Sequence, residues 1–441
     1  MDGVLLARIQ FAFTVGFHFI FPPTTFGLTL VILIVESLYL RTKSTIYKSL
    51  SDFLVKILAL VFVLGTATGI VMEFSFGNNW AEYSRFVGDI FGAPLAAEGV
   101  FAFFLESVFL GVLVFGRERV SQGVYWLSSF LVFFGAHLSG LWIIIANSWM
   151  QTPAGFKIEG GRAVLTDFWR AAFNASTVER YVHTVVGGWI TGTLLVAGIA
   201  AWYLLRRRDG EYARPLLRIA TVCFIATALL QFATGHASSV QVAKTQPEKM
   251  AAFEALWKTQ KGAPLPLFGI PDEKAEKTHF LIEIPKLLSF LVYGDFSAEM
   301  KGLKDFPEEE RPPVLLSFAS YHIMFFLGAW FALLSLVGLY LLMRKRLFET
   351  RWYLYGLLFS VPLPYLANEF GWIAAEVGRQ PWAVYHVMKT SEAVSRVVPA
   401  GQIVFSLAVF ALIYTLLFVV FLKILFRIVR KGPAQVPAPG Y

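Results

Sequence analysis

The chain has one cysteine, Cys223, in 441 residues. A single thiol excludes an internal disulfide, an iron–sulfur cluster on four thiolates, and covalent c-type haem attachment, which needs Cys-x-x-Cys-His. Any cofactor must be held by other side chains. Charge is also scarce: Asp, Glu, Lys and Arg make up 15% of the sequence, where ordinary globular chains carry about 25%. Hydrophobic residues reach 56% and the mean hydropathy is +0.61. That balance excludes a water-soluble enzyme and a disordered chain, and it points to a polytopic membrane protein. The net charge of +8 is no sign of nucleic acid, because the basic residues cluster between apolar runs instead of forming a stripe on a soluble face.

A spanning helix needs about 20 mostly apolar residues. Stretches free of Asp, Glu, Lys and Arg cover 9–35, 57–72, 120–156, 181–205, 219–243, 314–343, 352–368 and 397–422, and the run 92–116 is as apolar apart from Glu98 and Glu106. Nine helices are expected, making an all-α integral membrane protein. Five basic clusters fall on one side: Arg41/Lys43/Lys48, Arg117/Arg119, Arg206/Arg207/Arg208/Arg214/Arg218, Arg344/Lys345/Arg346/Arg351 and Lys423/Arg427/Arg430/Lys431. By the positive-inside rule that side is cytoplasmic, with the amino terminus outside and the carboxyl terminus inside. The first run has only Arg8 before it and no small-residue cleavage site after it, so it reads as a retained helix.

The organisation follows from these runs. Residues 1–236 carry helices one to six and 314–431 carry seven to nine. Between them, 237–313 form an outer segment of 77 residues with ten basic and twelve acidic side chains, long enough to be functional. Within it 247–257 could make a short amphipathic helix. The tail 432–441, rich in Pro, Ala and Gly, reads as a flexible end.

Ionisable groups inside spanning helices are costly and are functional candidates by default. They are His18, Glu98, Glu106, His137, His183, His322, Glu369 and Glu376. The helix directions put His18, Glu98, His183, Met324 and Glu376 in the outer half of the membrane, with Glu106 and Ser107 deeper. Eight residues separate Glu98 from Glu106, which on a regular helix is about 12 Å along one side, a ladder and not a catalytic dyad. Each residue also has a plainer role: a lone His such as His137 usually bonds helix to helix, Met324 is ordinarily filler, and Glu369 could be a neutral acid bonded to a neighbouring helix. Residue types and spacing leave a haem protein and a proton-coupled transporter equally open.

Six ordered blocks are more specific: Gly77-Asn78-Asn79-Trp80, the run from Val87 to Gly99, Phe104-Leu105-Glu106-Ser107, Ala146-Asn147-Ser148-Trp149-Met150-Gln151, Val182-His183-Thr184-Val185 and Gly378-Arg379-Gln380-Pro381-Trp382. From about residue 8 to the end of the ninth run the chain resembles subunit I of cytochrome bd-type quinol oxidases. The resemblance implies two four-helix bundles plus one peripheral helix, and three haems: a low-spin haem b, a high-spin haem b, and haem d or a third haem b. It implies His183 and Met324 as axial ligands of the low-spin haem, His18 and Glu376 as ligands of the other two, Arg379 as a cofactor-binding residue, and Trp372 between haems. Glu98 then lies beside the oxygen-reactive haem, and Glu106, Ser107 and Ser139 match a proton path from the cytoplasm. The outer segment resembles a short quinol-binding loop, with Lys249 and Glu254 as its quinol-contacting pair. Two departures stand out: His322 where some members have an arginine near haem propionates, and His236 in place of an acidic residue. An imidazole titrates near neutrality whereas an arginine does not, so propionate pairing at His322 could be weaker or pH-dependent.

The implied reaction is oxidation of quinol on the outer side and reduction of O2 to water in a bacterial or archaeal cytoplasmic membrane. Protons would come from the cytoplasm, giving a proton motive force without a pump. The implied partners are a second multi-helix subunit and small single-helix subunits, with no nucleic acid. The rival classes are a proton-coupled transporter using the same carboxylates and a haem b subunit that oxidises quinol without reducing O2.

Overall fold

The computed structural model describes residues 2–208 and 210–434. The first half comprises α1 (Gly3–Phe19), α2 (Phe21–Thr42), α3 (Thr45–Asn78), α4 (Ala81–Ala97), a π-helical turn Glu98–Phe103, α5 (Phe104–Phe115) and α6 (Gln122–Gln151). A hairpin of β1 (Phe156–Glu159) and β2 (Arg162–Leu165) and the short α7 (Phe168–Ala172) lead to α8 (Thr177–Leu205) and α9 (Gly210–Thr245). Next come α10 (Pro247–Phe253), β3 (Gln260–Lys261), the antiparallel pair β4 (Leu265–Asp272) and β5 (Lys277–Ile284), α11 (Leu287–Tyr293) and β6 (Glu299–Met300), which pairs with β3. The chain finishes with α12 (Val314–Met343), α13 (Arg351–Phe359), α14 (Leu363–Val377), paired strands β7 (Trp382–Val384) and β8 (Met388–Lys389), α15 (Thr390–Ala393) and α16 (Ala400–Lys431).

Among the described residues eight helical stretches are long and apolar enough to cross a membrane, with α1–α2 and α4–α5 each counted as one. The expected run 352–368 is the exception. It is split into α13 and α14 by a turn at 360–362, where Pro362 and Pro364 open the second piece. A proline has no N–H to donate and is tolerated in a first helical turn, so it ends one helix and starts the next. The 92–116 run is interrupted too: Pro94 lies in the last turn of α4, and the π turn begins four residues later at Glu98. Within 237–313, α9 continues as far as Thr245, and Pro247 starts α10. Positions 435–441 of the expected tail lie outside the described residues.

Packing sorts the helices into two groups. α2, α3, α5 and α6 contact one another, α8, α9, α12, α13 and α14 form a second set, and α2 against α8 joins them. That joint is made close by glycine: a Cβ on Gly27 would lie 2.5 Å from Gly192 Cα, and the reverse clash is 2.4 Å. Small residues let helix backbones meet where no hydrophobic effect drives association in lipid. α16 rests on α1 and α3, and much of its apolar surface stays exposed. At the end carrying the basic clusters, Arg117 ties α2 to α3: its guanidinium is 2.5 Å from fully buried Glu36, 2.6 Å from Asp52, and 3.7 Å over the Tyr125 ring.

Candidate functional site

The polar side chains collect at the opposite end, beneath the 246–313 segment. The short amphipathic helix expected over 247–257 is α10, ending at Phe253, and every residue from Glu248 to Leu256 is buried. Met250 and Phe253 pack with Leu288 and Val292 of α11 and Phe318 of α12, and Phe253 stacks on Tyr321 at 4.7 Å. This packing carries Lys249 and Glu254 inside. The Lys249 ammonium, 1% exposed, donates to the amide oxygens of Gln151 (2.6 Å) and Gln246 (3.0 Å). Burial, together with the nearby Arg180 cation, holds its pKa well below the ordinary lysine value. Glu254, 2% exposed, has neither carboxylate oxygen hydrogen-bonded, and desolvation lifts its pKa to about 8. An amine held by acceptors can donate to a ligand oxygen, and an unpartnered acid can, once ionised, accept a hydroxyl proton.

Gln151 also reaches Glu376. Its amide nitrogen is 3.3 Å from Glu376 Oε1, which takes a second bond from Asn147 at 3.0 Å. Asn147 and Gln151 are one turn apart on α6, so both face α14. Glu376 Oε2 accepts from Arg379 at 2.5 Å, and Arg180 stands 4.0 Å from Oε1 while hydrogen-bonding Asn147. The result is a continuous set of contacts from Lys249 through Gln151 to Glu376.

The other expected ligands rest against glycines of facing helices. The His18 ring lies 3.1 Å from where a Cβ on Gly69 would stand, and its Nδ1 is 3.0 Å from Thr68 Oγ1. His183 faces Gly235 and is bonded to Thr234 (3.2 Å) and Gln231 (3.1 Å) of α9. The Met324 sulfur would be 2.7 Å from a Cβ on Gly371 of α14. Trp372, half-buried, lies one turn before Glu376 on that helix.

The carboxylate ladder faces α6. Glu98 accepts from Ser139 at 2.7 Å, and Glu106 packs on Gly135, one turn away along the same seam. A π turn, Glu98–Phe103, stands between the two acids in place of the regular helix assumed for their spacing, and its wider turn alters their relative rotation. Ser107 is not drawn in: its hydroxyl bonds the Phe104 carbonyl of its own helix. His137 is a helix–helix bonding residue, accepting from Trp189 at 2.8 Å. His322 is buried, with both ring nitrogens against carbonyls, Phe318 at 2.9 Å and Pro266 at 3.0 Å. Its ring is thus engaged with backbone of α12 and of β4. His236 is exposed on α9.

A sequence profile described as cytochrome bd terminal oxidase subunit I matches residues 6–433. The chain belongs to that family. It is 38% identical to the cytochrome bd ubiquinol oxidase subunit 1 of Bacillus subtilis, over 98% of this chain and 94% of that one. It is 34% identical to the cytochrome bd-II ubiquinol oxidase subunit 1 of Escherichia coli, covering 98% and 97%. The bd oxidase structure from Geobacillus thermodenitrificans superposes with a TM-score of 0.93 at 30% identity, covering 98% of this chain and 99% of that one. The chain is thus a multi-pass bacterial membrane protein and a subunit of a terminal oxidase, a multi-subunit haem enzyme.

The residues present fit haem. Beside the glycine-flanked His18, His183 and Met324, two buried guanidinium nitrogens, Arg379 Nη1 and Arg180 Nε, have no partner among the described residues. Buried unpaired cationic donors call for an anionic group, and haem carries carboxylates. Arg180 was not anticipated from sequence. The available signal was its position three residues before His183, on the same helix face. Asn147 and Gln151 stood in a recognised block without a role, and their spacing of four was the clue to a shared face.

Proposed function

We propose that quinol is oxidised at α10, on the outer side of the membrane, and that the chain holds three haems in its helices. The enzyme is a quinol:oxygen oxidoreductase: two quinols give up four electrons and four protons, and one O2 becomes two waters. The observation that carries the quinol site is the pairing of Lys249, its ammonium fixed by two amide oxygens, with the unpartnered Glu254. Lys249 donates to a quinol oxygen and Glu254, once ionised, accepts the hydroxyl proton.

For the haems, His183 and Met324 would hold the low-spin haem b, and His18 and Glu376 the high-spin haem b and a third group, haem d or haem b. Arg379 and Arg180 offer N–H groups to propionates and balance the Glu376 charge. Trp372 stands beside the Glu376 position. When bound, the haems supply the electron transfer and the oxygen chemistry. Glu106, with Glu98 and Ser139 along α6, moves protons from the cytoplasm, and Ser107 enters only if its side chain turns from its own helix. Protons consumed from inside and released outside separate charge without a pump.

In this reading the chain crosses the membrane nine times, the broken pair α13–α14 included, with the 246–313 segment outside and the carboxyl terminus inside. A second multi-helix subunit and small single-helix subunits complete the complex. Relatives are named for ubiquinol and one, at 33% identity, as a putative menaquinol oxidase, so the quinone head is left to assay. Oxygen consumption by the purified complex with ubiquinol and menaquinol analogues is the test. Lys249→Met is expected to raise KM for quinol at least about tenfold, the loss of roughly 1.4 kcal/mol of binding, with the haem spectrum intact. An unchanged KM would remove quinol from α10.

A further inference from the structure

The 246–313 segment exposes more apolar surface than a water-facing loop sustains. In β4, Phe268 and Ile270 are 54% and 46% exposed, and in β5, Phe280 and Ile282 are 78% and 59% exposed. Phe268 pairs with Ile282 across the hairpin. Phe280 sits at a register irregularity with φ of 53°, a left-handed conformation that a bulky residue adopts only under constraint and that re-aims its ring. α11 adds Phe290 and Leu291. A contiguous patch of this kind marks a contact surface.

What covers it follows from depth. The hairpin lies along α12 and does not project from it. Its tip is held at the α12 N-terminus, where Glu273 accepts from the Val314 and Leu315 amides (2.8 and 3.1 Å) and Glu276 pairs with Arg311 (2.9 Å). Its base is held by His322, 3.0 Å from the Pro266 carbonyl, about 12 Å further along α12 at 1.5 Å per residue. α12 has 30 residues, about 45 Å, against about 30 Å of hydrocarbon and about 40–45 Å with headgroups. The tip therefore stands at the watery edge of the headgroup layer, while the base reaches the hydrocarbon boundary. The sequence follows the same gradient, with Asp272, Glu273, Lys274, Glu276 and Lys277 at the tip and apolar residues toward the base. Glu283 and Lys286 near the base stop it from going deeper, and a lysine there extends its ammonium to the headgroups. Phe325 and Phe326 of α12, just beyond His322 at the base, are also exposed, so the patch adjoins surface that a spanning helix presents to lipid.

We propose that the β4–β5 hairpin and α11 are membrane elements, lying in the outer headgroup layer with these apolar side chains against lipid. α11 packs on α10, with Leu288 and Val292 against Met250 and Phe253, and the hairpin is tied to the chain just beyond α10, where Trp257 bonds Thr278 at 3.1 Å. They are the wall between bilayer and Lys249. That last consequence rests on the quinol reading of α10, whereas the lipid contact does not.

The test uses the full oxidase with Cys223→Ser and the other subunits' cysteines replaced, reconstituted in phosphatidylethanolamine–phosphatidylglycerol vesicles. Phe280→Cys, Ile282→Cys and Lys274→Cys are each labelled with a bimane fluorophore and retained only if the haem spectrum is unchanged. Emission at 280 and 282 is expected to be lost to nitroxides placed shallow on lipid chains and kept with aqueous iodide, and the reverse at 274. Iodide quenching at 280 and 282 would overturn the proposal in favour of water. Protection from both quenchers would overturn it in favour of cover by another subunit. Quinol turnover is not read, so failure here leaves the α10 assignment standing.

Discussion

Glu254 has both carboxylate oxygens buried and unpartnered, and its pKa of about 8 sets a sign for activity. Below that pH the group is mainly protonated and could not serve as the proposed acceptor of the quinol proton; above it the carboxylate could. Quinol kcat/KM is therefore expected to rise with pH through about 8 and then level, measured by initial rates from pH 6 to 9.5. Glu254→Gln should cut kcat by about 10²-fold or more and abolish the rising limb. A limb that survives in the variant belongs to another group. Met324→Leu should remove the low-spin b absorption and leave the other haem bands, because a leucine offers no ligand atom. The family resemblance along the chain supplied these residues. Their surroundings came from contacts between distant segments, such as Gln151 with Lys249, ninety-eight positions apart.

At the level of elements, two close contacts invite test. Gly27 and Gly192 leave no room for a side chain where α2 meets α8, so Gly192→Val should cost about 1–3 kcal/mol by overpacking and lower the thermal midpoint of haem release. Arg117→Met leaves Glu36 buried and charged without its partner, which costs about 3–5 kcal/mol when one member of a buried pair is removed. Glu36→Gln in the same chain should recover part of it. Most helices could be read from apolar runs, because a bilayer demands about 20 such residues and satisfies every backbone group within the helix. The interruptions could not. Pro94 and Pro362 are visible in sequence, but a proline in lipid can kink, end or merely bend a helix, and the neighbours it packs on decide which. The buried state of α10 was equally hidden: its short pattern of apolar and charged residues suits a surface helix until α11 and α12 close over it.

For the whole molecule, the orientation proposed from the positive-inside rule is open to a direct test. A β-galactosidase fusion after Lys431 should be active in cells, and alkaline phosphatase at the same point inactive, with the converse for insertions at Lys274. Reversed activities would invert the direction in which protons are taken up and released. By itself the sequence determined the solvent, since so little charge and so much hydrocarbon can fold only in a bilayer. It also determined the family, through ordered motifs, and the candidate ligands within it. Tertiary structure alone decided which polar groups meet: Arg180 with Asn147, Gln151 with both Lys249 and Glu376, and Glu98 with Ser139. It also decided that a loop between two spans carries an apolar face lying along α12. The physical reason is that periodicity specifies the face a residue occupies on its own helix, while the identity of the facing residue depends on how helices pack, and that is set by shape and small residues spread over the whole chain.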